Sequence, residues 1–224
     1  NLACMGKGLP NCPEENGPDM DYSASSILID LGDRDILVAG QKSGFVYGLD
    51  PDTGKIIWSR EVSGGGTQGG IHFGMASEGK TLYVPLNDMK DTHDGKVWLN
   101  RKPGMHSLNT ENGEILWSTI TNEECKEINI NCDPGISAAV TAIPGAVIAG
   151  HLDGMIRAYD KKNGEILWSF NSLGDYESIS GTPASGGSFS GSGPSIRNGY
   201  MAINSGYGLY NHMPGNALLL FSVE

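Results

Sequence analysis

The chain has 224 residues, of which 38% are hydrophobic, and this is enough to bury the core of a folded domain. Its formal net charge of −11, from 26 acidic and 15 basic residues, excludes a surface built to bind nucleic acid or anionic membranes. The apolar run 138–150 is interrupted by Pro144 and several glycines, and it is shorter than the roughly 18 residues that a membrane-spanning helix needs.

The glycine content indicates the fold class. The 33 glycines, with few amphipathic helical periods, favour many short strands joined by tight turns, so we predict an all-β protein over residues 1–224. The chain begins at Asn1 without a charged and apolar leader, and we expect that any signal peptide has been removed or lies outside this sequence.

The four cysteines fall into two local pairs. Cys4 and Cys12 lie in a loop rich in Pro, Gly and Asn, and Cys125 and Cys132 are similarly close to each other. We predict two disulfides, each closing a short loop and stabilising the fold by about 2 to 3 kcal/mol, in an oxidising compartment. The alternative is a zinc site with four cysteines, which has neither the usual Cys-x-x-Cys spacing nor an adjacent histidine in its support.

A frame of the form Asp-x-x-x-Gly-x-x-x-Trp occurs three times, at intervals of roughly 50 to 60 residues. Its members are Asp50/Gly54/Trp58, Asn109/Gly113/Trp117 and Asp160/Gly164/Trp168. Such a repeat, filled with short strands and glycine turns, is typical of the blades of a β-propeller.

Each repeat divides into predicted antiparallel strands separated by turns. The first has strands at 23–29, 35–41, 44–50 and 55–61; the second at 71–77, 81–87, 104–110 and 114–120, with an insert at 88–103; the third at 137–143, 146–152, 155–161 and 165–171. A fourth has strands at 186–196, 200–206 and 217–223 and lacks its outermost strand. The sequence therefore predicts about four blades of four-stranded sheets.

The frame residues have structural roles in this interpretation. The Asp or Asn caps the turn into the fourth strand, the Gly takes the position that needs φ > 0, and the Trp packs between neighbouring blades. Burial of such a ring is worth about 3 kcal/mol against Ala. The missing outer strand leaves two alternatives: the chain is half of an eight-bladed ring, which we favour, or another chain completes it.

Several stretches resemble a known family. The segments NCPEENGPDMDY, GGIHFGMASEGKTLYVP, SAAVTAIPGAVIAGHLDGMIRAYD and GSGPSIRNGYMAINSGYG are similar to the quinoprotein alcohol dehydrogenases, and within them to the polyvinyl alcohol dehydrogenase branch. These are eight-bladed propellers that bind pyrroloquinoline quinone (PQQ). The similarity covers nearly the whole chain and matches the C-terminal half of the family's propeller.

The resemblance implies a set of cofactor-binding residues. In the family a lysine or arginine in a turn between the second and third strands reaches the quinone oxygens, and here the matching turn GQKSGF holds Lys42. Asp21 and Tyr22 match an Asp-Tyr stretch on an innermost strand, although Met20 stands where many relatives have Trp. His72 and Phe73 head another innermost strand and are expected to line the axial channel. The alternative for Lys42 is a solvated hairpin lysine without a ligand. The alternative for His72 is a polar residue of the channel whose hydrogen bonds are satisfied without a ligand.

The rest of the family's catalytic apparatus is expected outside this chain. The calcium ligands, the general-base Asp and the tryptophan floor beneath PQQ belong to the N-terminal half, so no catalytic or metal-binding residue is assigned here. One acidic loop, with Asp88, Asp91, His93 and Asp94, contains oxygen ligands that suit calcium. Its spacing departs from the EF-hand pattern, and we interpret it as a solvated charged loop.

Two functions follow from the sequence. The first is a periplasmic or secreted enzyme that oxidises an alcohol with PQQ and calcium, passes electrons to a cytochrome c, and includes the remaining N-terminal half of the propeller. The second is a non-catalytic propeller that serves as a binding or assembly module, because a fold by itself does not fix function.

Overall fold

A computed structural model describes Cys12 and residues 19–89, 100–121, 132–208, 210 and 212–223. Within these ranges all regular structure is β-strand, and no helix long and apolar enough to cross a membrane occurs there. The all-β prediction is therefore confirmed.

The strands form successive antiparallel sheets, each a propeller blade. Blade 1 consists of β1 (Ile27–Asp30), β2 (Asp35–Gly40), β3 (Phe45–Leu49) and β4 (Ile56–Glu61); blade 2 of β5 (Ala76–Glu78), β6 (Thr81–Leu86), β7 (Gly104–Asn109) and β8 (Ile115–Ile120). Blade 3 consists of β9 (Thr141–Ile143), β10 (Ala146–Gly150), β11 (Met155–Asp160) and β12 (Ile166–Asn171).

The described part of the fourth repeat differs from the first three. A small hairpin of β13 (Asp175–Glu177) and β14 (Pro183–Ser185), which the sequence analysis did not predict, precedes it. Blade 4 then has three strands, β15 (Ser195–Arg197), β16 (Tyr200–Ser205) and β17 (Ala217–Ser222), in that order. Among the described residues no strand pairs with the outer edge of β17, as predicted.

The turns before the outer strands are built as the repeated frame predicts. In blade 1 the Asp50 side chain accepts hydrogen bonds from the backbone N–H groups of Asp52 and Thr53, which holds the turn closed. The glycines at the equivalent positions have φ of 69° (Gly54), 70° (Gly113) and 75° (Gly164), the left-handed region that L-residues enter only at a cost.

The hydrophobic core lies between blades. One cluster joins blades 1 and 2, including Ile36, Val38, Leu82 and Val84. A second joins blades 2 and 3 through Met105, Trp117, Val147 and Tyr159. A third joins blades 3 and 4 through Ile148, Ile156, Met201 and Ile203. Each sheet is thus buried on the face that meets its neighbour, as expected when β-sheets pack face to face.

The innermost strands begin later than predicted. The strand expected at 71–77 is confined to Ala76–Glu78, and the one expected at 23–29 begins at Ile27. Asp21, Tyr22, His72 and Phe73 therefore do not lie on innermost strands, and that part of the interpretation is wrong. The backbone of these segments bonds to other parts of the molecule instead, as when Phe73 N–H donates to the carbonyl of Ser137 at 3.3 Å.

Candidate functional site

Lys42 lies in the turn between β2 and β3 and points toward two carboxylates. Its Nζ is 3.1 Å from Asp19 Oδ2 and 3.1 Å from Asp21 Oδ2, and only 13% of its side chain is exposed. The backbone N–H of Lys42 also donates to the carbonyl of Asp21 at 3.0 Å. The structure therefore brings Lys42 and Asp21 together, as the resemblance implies, and adds Asp19, which sequence reasoning missed although it lies two residues before Asp21.

The paired charges keep the ammonium protonated. Burial works to lower the pKa of Lys42, but the hydrogen bonds to Asp21 and Asp19 outweigh it and raise that pKa above its ordinary value. The hydrogen bond from Lys42 lowers the pKa of Asp21 in turn. Lys42 thus carries a fixed positive charge within a cluster of one ammonium and two carboxylates, whereas a solvated hairpin lysine would be exposed and unpaired.

A glycine-rich segment, 64–70, packs against the backbone of this turn. Gly66 N–H donates to the Lys42 carbonyl at 3.1 Å. A Cβ placed on Gly65 or on Gly70 would lie 2.5 Å and 2.3 Å from the same carbonyl oxygen, so neither position has room for a side chain. The glycines of SGGGTQGG indicate that another backbone approaches closely. Only the structure shows that this backbone is the turn that holds Lys42.

His72 lies next to this turn and is almost completely buried. Its Nδ1 is 3.1 Å from Ser137 Oγ, its exposed fraction is 7%, and its Nε2 makes no hydrogen bond of good geometry in the described part of the chain, although the backbone of Gly69 is close enough to the imidazole to raise its pKa. Burial, with the nearby charges of Lys42 and His212, lowers the pKa of His72 to about 4. The imidazole is therefore neutral at neutral pH and can donate or accept one further hydrogen bond.

His212 approaches the same region from the loop between β16 and β17. Its exposed fraction is 8%, and both of its ring nitrogens are buried without a partner among the described residues. Burial lowers its pKa to about 4. The sequence predicts that segment 204–216, with Tyr207, Tyr210 and His212, lies on the presumed cofactor face and borders a substrate entrance. It does not predict the burial of His212, because that depends on segments that are distant in the chain.

The two aromatic residues carried over from the family are exposed. Tyr22 packs on Tyr47, with ring centroids 5.9 Å apart, and Phe73 contacts His72 edge to face at 6.0 Å. Both rings lie beside the charged and imidazole groups and present an apolar surface there. What they bind stays a prediction.

The acidic loop is only partly described. Asp91, His93 and Asp94 lie outside the described residues, whereas the Asp88 carboxylate is buried and accepts hydrogen bonds from Ser63 Oγ, Gly70 N–H and Lys102 N–H. Asp88 thus fastens the glycine-rich segment to the base of the insert. Within the described ranges no group of three or more His, Cys, Asp or Glu side chains is arranged to hold a metal ion.

The cysteines are accounted for in part. Cys12 and Cys132 are disulfide-bonded, and no cysteine with a free thiol occurs among the described residues. Cys4 and Cys125 lie outside the described residues, so the pairing of Cys4 with Cys12 and of Cys125 with Cys132 stays a prediction.

Comparison with solved structures identifies the fold. The chain superposes on a quinohemoprotein alcohol dehydrogenase from Comamonas testosteroni with a TM-score of 0.57 and 17% identity, covering 84% of this chain and 30% of that one. It superposes on BamB from Moraxella catarrhalis with a TM-score of 0.53 and 18% identity, covering 82% and 43% of the two chains. These likenesses confirm the propeller-type fold.

Sequence comparison identifies the relatives. A polyvinylalcohol dehydrogenase from a Pseudomonas species is 40% identical over 96% of this chain, and one from Sphingopyxis sp. (strain 113P3) is 34% identical over 98% of it. The chain spans about a third of the length of these curated relatives, 34% and 35%. The family model described as outer membrane protein assembly factor BamB, of PQQ type, matches residues 14–80 and 42–187. The chain therefore belongs to this PQQ-type propeller family, and its resemblance to the polyvinyl alcohol dehydrogenases is confirmed.

Proposed function

We propose that this chain forms one wall of the active site of a PQQ-dependent dehydrogenase that oxidises an alcohol. The observation that carries the proposal is the largely buried Lys42 side chain, whose ammonium is fixed by Asp19 and Asp21 beside imidazole nitrogens that have no partner in the described chain. The names of the two polyvinylalcohol dehydrogenase relatives support secondary alcohols, such as those of poly(vinyl alcohol), as the substrate class.

The described residues fit such a cofactor. PQQ is a multiply charged anion with carboxylate and quinone oxygens, and these need a cation and hydrogen-bond donors. Lys42 supplies the cation, whereas His72 Nε2 and the two ring nitrogens of His212 are buried polar atoms that lack partners. An unsatisfied buried polar atom destabilises the protein by about 1 to 3 kcal/mol. A polar ligand that bonds to these atoms removes that cost, and this favours its binding. We assign Lys42, His72 and His212 as the cofactor or substrate contacts.

When bound, the quinone would supply the acceptor for the hydride equivalent, two electrons and one proton, that the alcohol loses. Lys42 contributes a preorganised positive charge, which stabilises negative charge on neighbouring oxygens without costly reorganisation. Asp19 and Asp21 fix the direction of the ammonium group and keep it protonated. His72 remains neutral and orients a polar group through Nε2, while Tyr22 and Phe73 shield the site from water.

The proposal includes components outside this chain. We place the calcium ligands, the general base and the other face of the cofactor in the N-terminal part of the propeller, and we take a cytochrome c as the electron acceptor. The family resemblance supports each of these assignments. We also propose a periplasmic or secreted location, which agrees with disulfide-bonded Cys12 and Cys132 because such bonds persist in oxidising compartments.

Binding of PQQ to Lys42→Ala tests the proposal directly. We expect the protein assembled with the N-terminal part of the propeller to bind PQQ in a fluorescence or calorimetric titration, and its Lys42→Ala variant to bind at least about tenfold more weakly, since one charge-assisted contact is worth roughly 1.5 to 3 kcal/mol. Circular dichroism should show that the variant keeps its strands.

Lys80→Ala is the matched control. Lys80 also forms an ion pair, with Glu111 at 2.9 Å, but it is exposed and lies on the turn between β5 and β6. Its removal should leave PQQ affinity unchanged. If Lys42→Ala binds PQQ as tightly as the native chain, Lys42 does not belong to the site.

A non-catalytic assembly module is the second candidate, because the matching family model carries the description of an assembly factor. A BamB from Yersinia pestis is 23% identical over 59% of this chain. This candidate predicts that the protein assembled with the N-terminal part of the propeller binds no PQQ and forms no product with an artificial electron acceptor after PQQ and calcium are added. PQQ binding that depends on Lys42 contradicts it.

A further inference from the structure

A buried carboxylate holds both ends of the glycine-rich segment 64–70. Asp88 is completely buried, and its Oδ1 accepts hydrogen bonds from Ser63 Oγ at 3.0 Å, just before the segment, and from Gly70 N–H at 2.8 Å, at its last residue. Its Oδ2 accepts a hydrogen bond from Lys102 N–H at 2.7 Å. One side chain thus closes the segment into a loop and ties it to the chain that leads into β7.

Residues next to Asp88 and Lys102 reinforce this attachment. Asn87 N–H donates to the Gly70 carbonyl at 2.9 Å, and Asn87 Nδ2 donates to the Gln68 carbonyl at 2.7 Å. Gly64 N–H donates to the Asn100 carbonyl at 3.1 Å. Both ends of the segment are therefore held by backbone bonds as well as by the carboxylate.

The backbone of Asp88 is strained. Its φ is 41°, in the left-handed region that residues other than glycine enter only at a cost. Such a conformation persists where surrounding contacts fix it. Here the contacts are the three hydrogen bonds to the carboxylate and the one that Arg101 Nε donates to the Asp88 carbonyl.

The same segment contacts the candidate site through its backbone. Gly66 N–H donates to the Lys42 carbonyl at 3.1 Å, and the backbone of Gly69 lies beside the His72 imidazole. A Cβ on Gly65 would come within 2.5 Å of the same Lys42 carbonyl oxygen, so the two backbones are in direct contact. A displacement of the segment must therefore displace the Lys42 turn.

We propose that Asp88 is a positioning residue of the site, which fixes the Lys42 turn and His72 through segment 64–70. It acts through the segment and not on a ligand, because both of its carboxylate oxygens are engaged by protein groups. The placement of the segment follows from contacts within the chain, whereas its effect on PQQ binding rests on the proposed function.

Asp88→Ala, in the protein assembled with the N-terminal part of the propeller, tests this role by amide hydrogen exchange and by PQQ titration. The amides of 64–72 and of the Lys42 turn should exchange at least about tenfold faster than in the native protein, because both ends of the segment are released. PQQ should bind at least about tenfold more weakly, because its contacts are no longer preorganised. Exchange in β10 and β11 should change much less.

Asp88→Asn should rescue both properties. Asparagine also tolerates the left-handed backbone, and its Oδ1 can accept the bonds from Ser63 and Gly70 while only the bond from Lys102 is lost. If Asp88→Ala fails to fold, Ser63→Ala takes its place. It removes one of the two bonds to Oδ1 and should change exchange and PQQ affinity in the same direction.

Asp153→Asn is the matched control. Asp153 is a second buried aspartate in a turn, between β10 and β11, and it pairs with Arg157 at 2.7 Å and accepts a hydrogen bond from Met155 N–H at 2.9 Å. Within the described ranges it makes no hydrogen bond to segment 64–70 or to the Lys42 turn. Its substitution should lower stability to urea but leave the exchange of 64–72 and the PQQ affinity unchanged.

The proposal fails if Asp88→Ala leaves the exchange of 64–72 unchanged. It also fails if Asp153→Asn has the same effects, since these would then reflect general destabilisation. A native protein that binds no PQQ overturns the proposed function and the cofactor-positioning role with it. Native binding that Asp88→Ala leaves unchanged overturns the role of Asp88 alone.

Discussion

The buried histidines are neutral for a common reason. Desolvation lowers the pKa of His72, His106, His151 and His212 to about 4 in each case. His106 and His151 satisfy both ring nitrogens with protein groups, as when His151 lies between the Pro134 carbonyl and the Tyr159 hydroxyl. His72 and His212 do not, and this distinguishes candidate ligand-binding histidines from structural ones.

The shared shift predicts how stability depends on pH. A histidine whose pKa is about 6.5 in the unfolded chain and about 4 in the folded protein takes up its proton only on unfolding between those values. The contribution of these histidines to the free energy of unfolding should therefore fall as the pH is lowered from 6.5 to 4, by at most roughly 3 kcal/mol per histidine, whereas Asp153, whose pKa burial raises to about 7, contributes in the opposite direction. Urea denaturation at pH 7, 5.5 and 4.5 measures this decline.

His212→Gln should make the decline shallower, since one of the groups that titrate in this window is removed. Lys80→Ala, at an exposed position, should leave the slope as it is in the native protein. An identical slope for His212→Gln and the native chain would show that His212 is not buried in solution.

Among single residues, the family resemblance named Lys42, Asp21 and His72 as candidate site residues, and their role in cofactor binding stays a prediction. It did not predict that Asp19 pairs with Lys42, or that both ring nitrogens of His212 are buried without a partner in the described part of the chain. Both depend on contacts between segments far apart in the chain, since His212 follows β16 whereas His72 precedes β5. Local pattern carries no information on such contacts.

The strand and turn elements were predicted more completely than the site. The second, third and fourth strands of each complete blade agree with the sequence pattern because alternating side chains and turn residues specify them locally. The inner strands were predicted too long because their first residues bond across the molecule, as Ile71 N–H does to the Gln41 carbonyl at 3.3 Å. The β13–β14 hairpin was missed because strands of three residues give too little pattern.

Substitutions at two turn glycines distinguish the cost of backbone strain from the cost of a packing clash. Gly54 and Gly113 have φ of 69° and 70°, but a Cβ on Gly54 meets nothing within 4 Å, whereas one on Gly113 meets Trp58 Cε3 at 2.5 Å. Gly54→Ala should therefore cost only the left-handed strain, about 1 to 2 kcal/mol. Gly113→Ala should cost about 1 to 3 kcal/mol more, because the indole must move.

Urea unfolding followed by circular dichroism compares the two glycine variants. Trp58 fluorescence should in addition shift to longer wavelength in Gly113→Ala alone, as the ring gains solvent. Equal losses of stability would mean that the indole does not pack under the turn.

At the scale of the whole molecule, the pairing of the four cysteines can be tested. We predict pairs Cys4–Cys12 and Cys125–Cys132, each closing a local loop. Proteolysis under non-reducing conditions and mass spectrometry should yield these two linked peptides. A peptide linking the N-terminal pair to the other pair would contradict the prediction.

Because the clusters of apolar side chains lie between sheets and not within a single centre, each blade is stabilised by its immediate neighbours. Cooperativity in such an array is a property of nearest neighbours, so amide protons should exchange with deuterium at unequal rates along the arc. In the 224-residue chain taken by itself, the two central sheets, which have a neighbour on either side, should retain their protons longest. The difference in amide exchange rate between the central and the outer blades thus measures how strongly each blade is stabilised by its neighbours.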